Sequence, residues 1–369
     1  VKIVFVSDAI YPYLTGGKEK RLYELSTRLS KLGHDVHIYT MHWWQTPETE
    51  RTEDGVQLHA LCRYHEMYTG DRRTIKEGVM FGLACLKLLT VNCDVMDVDH
   101  MPFFPVISAW IVRCLRGKKL HATWHEALTR QEWVDYMGPS GNIAAMIERL
   151  CIKLPHTITA ASGRTQQLLS LKRNNVRLVT SGIDCKAVHA IEPAPLDCDV
   201  LAVCRLVKDK NIHLLIKAIC TLAKATPNVT CTIVGKGPEK QRLMRQAHKL
   251  GLDTNITFID QLPKASDVYA YMKAAKVFCL PTTREGFGIV TLEALGCGTP
   301  VVTTDSLTNA SRSFINNGHN GAIVPLNEQA IAAAIRQWLT SGKPAAIAEK
   351  VAKYDWSLLA KQQAKVYAS

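Results

Sequence analysis

Short apolar runs alternate with helical stretches along the whole chain, and the series restarts near its middle. In the first half the runs are Lys2–Ser7, Asp35–Thr40, Val56–Ala60, Asp94–Val98, Lys119–Thr123 and Thr157–Ala160. In the second half they are Asp199–Cys204, Val229–Val234, Ile256–Ile259, Val277–Leu280, Pro300–Thr303 and Ala322–Val324. Their apolar residues stand at consecutive positions. A strand apolar on both faces must be covered on both, the condition of a parallel sheet between two helical layers. The stretches between them keep a helical period. Lys18–Leu32 places Leu22, Leu25, Leu29 and Leu32 on one stripe and ends at Gly33. Ile212–Ala225 does the same with Leu214, Leu215, Ala218, Ile219 and Leu222. Two such series predict an α/β protein of two Rossmann-like, doubly wound domains facing a cleft. Ser181–Asp197, with Gly182, Pro193 and Pro195, reads as the link. The expected domains are therefore 1–182 and 183–355, followed by a separate helix from Trp356 that could pack on either. Ligands of such folds bind beyond the C-terminal ends of the strands.

The net charge of +12, from 45 Lys+Arg against 33 Asp+Glu, suits nucleic acid, an anionic membrane, phosphorylated substrates or merely a solvated basic surface. The chain lacks a helix-turn-helix, RNP or zinc-finger pattern, which argues against nucleic acid. No apolar run approaches the ~18 residues of a membrane span. The opening Val-Lys-Ile-Val-Phe-Val reads as a strand and not a signal peptide, although a chain with its presequence removed would read the same. None of the twelve cysteines forms a Cys-X-X-Cys pair. Most lie in apolar contexts, as buried thiols do, so a reducing, cytoplasmic compartment is expected.

The densest chemistry lies at 281–300, Pro-Thr-Thr-Arg-Glu285-Gly286-Phe287-Gly288-Ile289-Val-Thr-Leu-Glu293-Ala-Leu-Gly-Cys-Gly298-Thr-Pro300. It follows a strand and opens a helix. Gly286 and Gly288 allow close backbone approach, and free amides at a helix start attract an anion. Glu285 stands at the strand's mouth. Glu293 interrupts an apolar helix, where a carboxylate must find donors. An isolated Glu-Gly-X-Gly is as well explained by an ordinary turn. The second Glu eight residues on and the following Gly-Thr-Pro favour a site.

This segment resembles the signature of retaining GT-B glycosyltransferases of family 4, two-Rossmann-domain enzymes that move a sugar from a nucleotide diphosphate sugar. The resemblance covers nearly the whole chain. It implies an acceptor-side domain at 1–182 and a nucleotide-sugar-binding domain at 183–355. It implies that Glu285 contacts the transferred sugar, that Glu293 binds the ribose, and that amides around Phe287, Gly288 and Ile289 hold the distal phosphate. Arg205 and Lys210, in the turn after Asp199–Cys204, match the family's diphosphate-binding cations. Two cations at a strand end can neutralise a leaving diphosphate. Asn211 departs from the family's frequent Lys-Gly. Gly16 and Gly17 match the family's Gly-Gly loop, which faces the diphosphate. His125, after the fifth strand, matches a histidine near the reacting carbon, while His121, on the strand itself, reads as structural. Gly235-Lys-Gly-Pro238 resembles a nucleotide-lining turn and is equally an ordinary tight turn. Thr304–Ala310 departs from the family's frequent Gly-Gly-X-X-Glu.

The resemblance implies no cofactor and no metal. Asp97-Val-Asp99 has the spacing of a metal-binding pair but lacks the context. The expected partners are a nucleotide-sugar donor and a sugar, lipid-linked or small-molecule acceptor. Met41–Pro47 and Tyr64–Arg73 are the candidate acceptor loops; Trp43, Trp44, Tyr64 and Tyr68 could stack on a sugar, touch lipid or pack in the core. A few cations at the diphosphate do not use up +12. The remainder, including Lys18, Lys20, Arg21, Lys31, Arg72, Arg73, Arg113, Arg116, Lys118 and Lys119, suggests peripheral contact with the anionic inner membrane face. The rival readings are a nucleotide-sugar epimerase of the same fold, a nucleic-acid or membrane-surface binding protein, and a non-catalytic sugar-binding relic.

Overall fold

The computed structural model describes residues 1–69, 72–344 and 347–369. Within the candidate loop 64–73, Gly70 and Asp71, and the side chains of Tyr68, Thr69 and Arg72, lie outside the described residues. Contacts divide the chain into two units, Val1–Ser181 with Trp356–Ser369, and Gly182–Asp355. Among the described residues no helix is long and apolar enough to cross a membrane.

The first unit runs β1 (Lys2–Val6), α1 (Gly17–Lys31), β2 (Asp35–His42), β3 (Glu50–Glu53), β4 (Val56–Arg63), β5 (Tyr68–Thr69), β6 (Arg72–Arg73), α2 (Ile75–Ala84), β7 (Val95–Asp99), α3 (Phe103–Arg116), β8 (Lys119–Trp124), α4 (Arg130–Met137), α5 (Gly141–Cys151), β9 (Thr157–Ala160), α6 (Gly163–Ser170) and β10 (Val176–Leu178). Its sheet has the order β10-β9-β8-β7-β1-β2-β4-β3. Every pairing is parallel except β3 on β4. The apolar runs occupy the sheet because both faces are covered: Val4, Val6 and Val98 pack in one core cluster, Ile3, Phe5 and Val95 in another.

The second unit runs α7 (Cys185–Ala190), β11 (Val200–Val203), α8 (Ile212–Ala223), β12 (Cys231–Val234), α9 (Lys240–Lys249), β13 (Ile256–Ile259), α10 (Ala265–Ala274), β14 (Val277–Leu280), α11 (Ile289–Gly296), β15 (Val301–Thr304), β16 (Gly321–Val324) and α12 (Glu328–Ser341). Its sheet, β13-β12-β11-β14-β15-β16, is wholly parallel. All twelve expected runs carry a strand, three with the expected ends and the others with ends shifted by at most three residues. Met41 and His42, expected in a loop, extend β2.

The last helix, α13 (Trp356–Ala368), packs in the first unit. Trp356, Leu359, Ala360 and Val366 join Leu25 of α1 and Val179 in one cluster. Tyr367 lies edge-on to Phe5 and donates to Asp97 Oδ2 at 2.5 Å.

In each sheet the chain winds outward, returns to the first strand and winds the other way. The reversal falls between β1 and β7 in one sheet and between β11 and β14 in the other. Loops at the C-terminal ends of those strands diverge and leave room for a ligand.

Candidate active site

The second unit's candidates follow β11 and β14, the strands flanking its reversal. The turn after β11 carries Arg205 and Lys210, and the turn after β14 carries Glu285. Lys210 Nζ donates to Glu285 Oε1 at 2.7 Å and to the Arg284 carbonyl at 3.0 Å. Burial works against the ammonium's charge, but Glu285 and then Asp209 outweigh it and hold the pKa above the usual lysine range. Lys210 therefore keeps its charge at neutral pH. Arg205 lies exposed on the same turn.

Backbone bonds lock the two turns together. The Asp209 carbonyl accepts from Thr283 N at 2.9 Å and from Thr282 Oγ1 at 3.2 Å. Asn211 stands where the family often has glycine, and its φ of 50° explains why. Asparagine tolerates this left-handed region better than most side chains. Its amide also donates to the Pro281 carbonyl at 3.0 Å.

A third strand end completes the support. Glu285 bridges Asn309: Glu285 N donates to Thr308 O, and Ala310 N to Glu285 O, both at 3.0 Å. Asn309 is wholly buried. It donates to Thr303 Oγ1 at 2.9 Å and accepts from Ser311 Oγ at 2.5 Å. The segment 304–310 is thus a brace for Glu285, a role unforeseen in the sequence.

Gly288 caps α11 with φ 85°, and a Cβ there would stand 2.4 Å from that of Ser311. Glycine is needed on both counts. The Phe287 ring turns inward onto Phe314, centroids 5.0 Å apart, so only its backbone is offered to a ligand. Ile289 begins α11; the Thr291 and Leu292 amides donate to the Gly288 carbonyl at 3.0 and 3.2 Å, and those of Ile289 and Val290 precede these first bonds of the helix. Gly286, partly buried, joins Glu285 to this cap. Glu293, further along α11, is buried and accepts from Tyr269 Oη at 3.0 Å. Its need for a donor is therefore met in part within the protein. Gly235 and Gly237 pack against the Arg205 turn: added Cβ atoms would lie 1.8 Å from Cys204 O and 2.2 Å from Leu206 O.

The first unit's candidates also flank a reversal. Gly16 caps α1 and Gly17 begins it. A Cβ on Gly16 would lie 2.2 Å from a Glu19 carboxylate oxygen, so an internal anion already folds over this helix start. Burial raises the Glu19 pKa. His125, beyond β8, donates from Nε2 to Asp99 Oδ1 at 2.7 Å. Lys18 Nζ joins Asp99 Oδ2 at 3.7 Å and Asp8 Oδ1 at 2.5 Å. Burial would raise the Asp99 pKa, but His125 and Lys18 hold it below the usual carboxylate range. Burial lowers the His125 pKa. The pair is best read as carboxylate and neutral imidazole, with Asp99 fixing the tautomer.

Asp8, Lys18 and Asp99 thus join Gly16, Gly17 and His125 in one network. Their signal was a polar residue just beyond β1 (Asp8), in the first turn of α1 (Lys18) or ending β7 (Asp99). Asp97 and Asp99 lie two residues apart on one face of β7, yet their partners differ: Asp97 meets Thr123 and Tyr367, Asp99 meets His125. His121 is buried edge-on to Tyr367. Of the candidate aromatics, Trp44 is buried and donates to Glu48 O, partly buried Trp43 donates to Asp8 O, and Tyr64 is exposed.

Residues 194–354 match the family described as "Glycosyl transferases group 1", and residues 15–187 match "Glycosyltransferase Family 4". The chain is 27% identical over 395 residues to the glycogen synthase of Mycobacterium tuberculosis, covering 100% of this chain and 94% of that protein. It is 30% identical over 295 residues to the phosphatidyl-myo-inositol mannosyltransferase of Mycobacterium leprae, covering 76% and 74%. Its fold is similar to that of sucrose-phosphate synthase from Thermosynechococcus elongatus, with TM-score 0.79, 18% identity and coverage of 100% and 98%. It is also similar to the Anabaena protein HepE solved with UDP and glucose, with TM-score 0.77, 17% identity and coverage of 100% and 99%. Both halves match the same group of enzymes, the fold agrees, and the chain is a glycosyltransferase that belongs to family 4 of the GT-B class.

Proposed function

We propose that this enzyme transfers a glycosyl group from a nucleotide diphosphate sugar to a hydroxyl of a sugar, lipid-linked or small-molecule acceptor, with retention at the anomeric carbon. One observation carries the reading: Lys210, Glu285, Arg205 and the α11 N-terminus are assembled on the strands flanking one reversal. Arg205 and Lys210 take the diphosphate, with the amides around Phe287, Gly288 and Ile289 on its distal phosphate. Glu285 orients the sugar hydroxyls. Glu293, held by Tyr269, takes the ribose. The family resemblance assigns His125, held by Asp99, and the loop of Gly16 and Gly17 to the donor as well.

The bond from anomeric carbon to diphosphate oxygen breaks as the bond to the acceptor oxygen forms on the same face. The acceptor's proton passes to the leaving phosphate. Charge grows on the diphosphate, where fixed cations and amides lower the barrier. The scheme uses no cofactor, and Arg205 and Lys210 supply the countercharge a metal ion would otherwise bring.

The test is proton NMR of the product formed from an α-linked donor. An α-anomeric product is expected, and a β-linked product contradicts retention. Donor supplied without acceptor separates the epimerase: a new donor stereoisomer would replace this reading.

A further inference from the structure

We infer that the outer face of α2, α3 and α5 docks this enzyme on an anionic lipid bilayer. The three helices pack side by side over one face of the first unit's sheet. Gly78 and Gly82 of α2 permit this: a Cβ on Gly82 would lie 2.5 Å from that of Phe104 in α3. Ser108 of α3 donates to the Gly82 carbonyl at 2.6 Å. The inward sides fill the core with Phe81, Val106, Ala109, Val112 and Cys151.

The outward sides are also apolar, which a solvated helix layer does not require. Ile111 and Leu115 stand four residues apart on α3, with Leu115 68% exposed. Ile143, Met146 and Leu150 form one stripe on α5, each 57–58% exposed. Leu83 of α2 is 59% exposed.

The exposed charges on these three helices have one sign. Lys76, Lys87, Arg116, Arg149 and Lys153 are exposed on or beside the three helices. In 75–90, 103–119 and 141–153 the acidic residues are Glu77 and Glu148, and both are buried. Arg73 meets Glu77, and the Trp124 and Trp133 indoles donate to Glu148. Within these three helices every exposed charge is a cation, although neighbouring α4 carries the exposed Asp135, and an apolar face bearing cations complements an anionic headgroup layer over hydrocarbon. A second copy of the chain fits worse, because mating two such faces sets cation against cation. Nucleic acid would leave the apolar stripes unused.

The face also sorts the basic surplus. Lys18, Arg21 and Arg73, counted among the surface cations in the sequence, are internal. Lys18 pairs with Asp8 and Arg73 with Asp8 and Glu77, while Arg21 donates to Val179 O at 2.8 Å. Arg113, Arg116, Lys118 and Lys119 lie in or just after α3.

Vesicle cosedimentation of the full chain tests the proposal. The probes are phosphatidylcholine vesicles with and without phosphatidylglycerol. The chain should pellet with the anionic vesicles and be released by salt. Leu115→Ser/Ile143→Ser/Leu150→Ser and, separately, Arg116→Glu/Arg149→Glu should each weaken binding about tenfold or more. All five positions are exposed, and circular dichroism checks that the variants fold. In the unaltered chain, anionic vesicles should slow alkylation of Cys114, an exposed thiol on α3. Failure to pellet overturns the proposal. So does binding by both variants as tight as that of the unaltered chain, or a vesicle-indifferent chain that dimerises or shifts RNA through this face. Sedimentation uses no substrate, and donor turnover is read without vesicles, so failure here is distinct from failure of the catalytic reading.

Discussion

Lys210 Nζ lies 2.7 Å from Glu285 Oε1, joining two turns separated by 75 residues of chain. The side chains are 14% and 17% exposed, so each ion depends on the other for much of its solvation. Removing one partner strands the second in a poorly hydrated place. Lys210→Met and Glu285→Gln should each destabilise the protein. The double variant should be less unstable than their sum, by about 1 kcal/mol or more. Urea unfolding of the four proteins measures this; strict additivity would show that the pair is not coupled.

Asn211 gives a test of the turn itself. Asn211→Gly keeps the left-handed backbone accessible and removes the amide bond to Pro281. Asn211→Ala removes the bond and adds the left-handed penalty of about 1–2 kcal/mol. Alanine should therefore be the more destabilising change in thermal unfolding. The reverse order would mean that this turn relaxes freely.

Asn309 positions Glu285 without a proposed contact to substrate. Asn309→Ala removes bonds to Thr303, Thr304 and Ser311. Transfer should slow mainly through kcat, by about tenfold or more, because a misplaced Glu285 fails most at the transition state. A rise in KM alone, with kcat preserved, would count against a positioning role.

His121 predicts a pH response. Burial lowers its pKa to about 4, while an unfolded histidine titrates near 6.5. As pH falls below about 6.5 the unfolded chain takes the proton first. This histidine's contribution to stability is complete above that pH and is lost on the way down to about 4. Between pH 7.5 and 4.5 the loss from this site is roughly 2–3 kcal/mol. His121→Gln should remove that share of the acid sensitivity in urea unfolding. Parallel pH profiles for both proteins would contradict it.

The strands were legible because a parallel strand covered on both faces is written in consecutive apolar residues. Glu50–Glu53 gave no such signal. It is the antiparallel edge strand, polar along its length, and only its pairing with β4 makes it a strand. The turns carrying the candidate residues were legible for a related reason, since glycines, cations and carboxylates there directly follow apolar runs. Their supports were not legible. Tyr269 lies 24 residues from Glu293 and Asp99 lies 26 from His125, and no local pattern links either pair. Asn211 and 304–310 looked like departures from a family pattern. The structure gives each a job, one as a left-handed turn residue and the other as the brace behind Glu285.

The most direct measurement of the catalytic reading is turnover across a panel of nucleotide diphosphate sugars, run on the unaltered enzyme and on Lys210→Ala. The account predicts that at least one donor is consumed by the unaltered enzyme. It also predicts that Lys210→Ala, folded by circular dichroism, loses about 100-fold or more in kcat with that donor. Undiminished turnover in the folded variant would contradict the assignment of Lys210 to the diphosphate and, with it, the site built around Glu285.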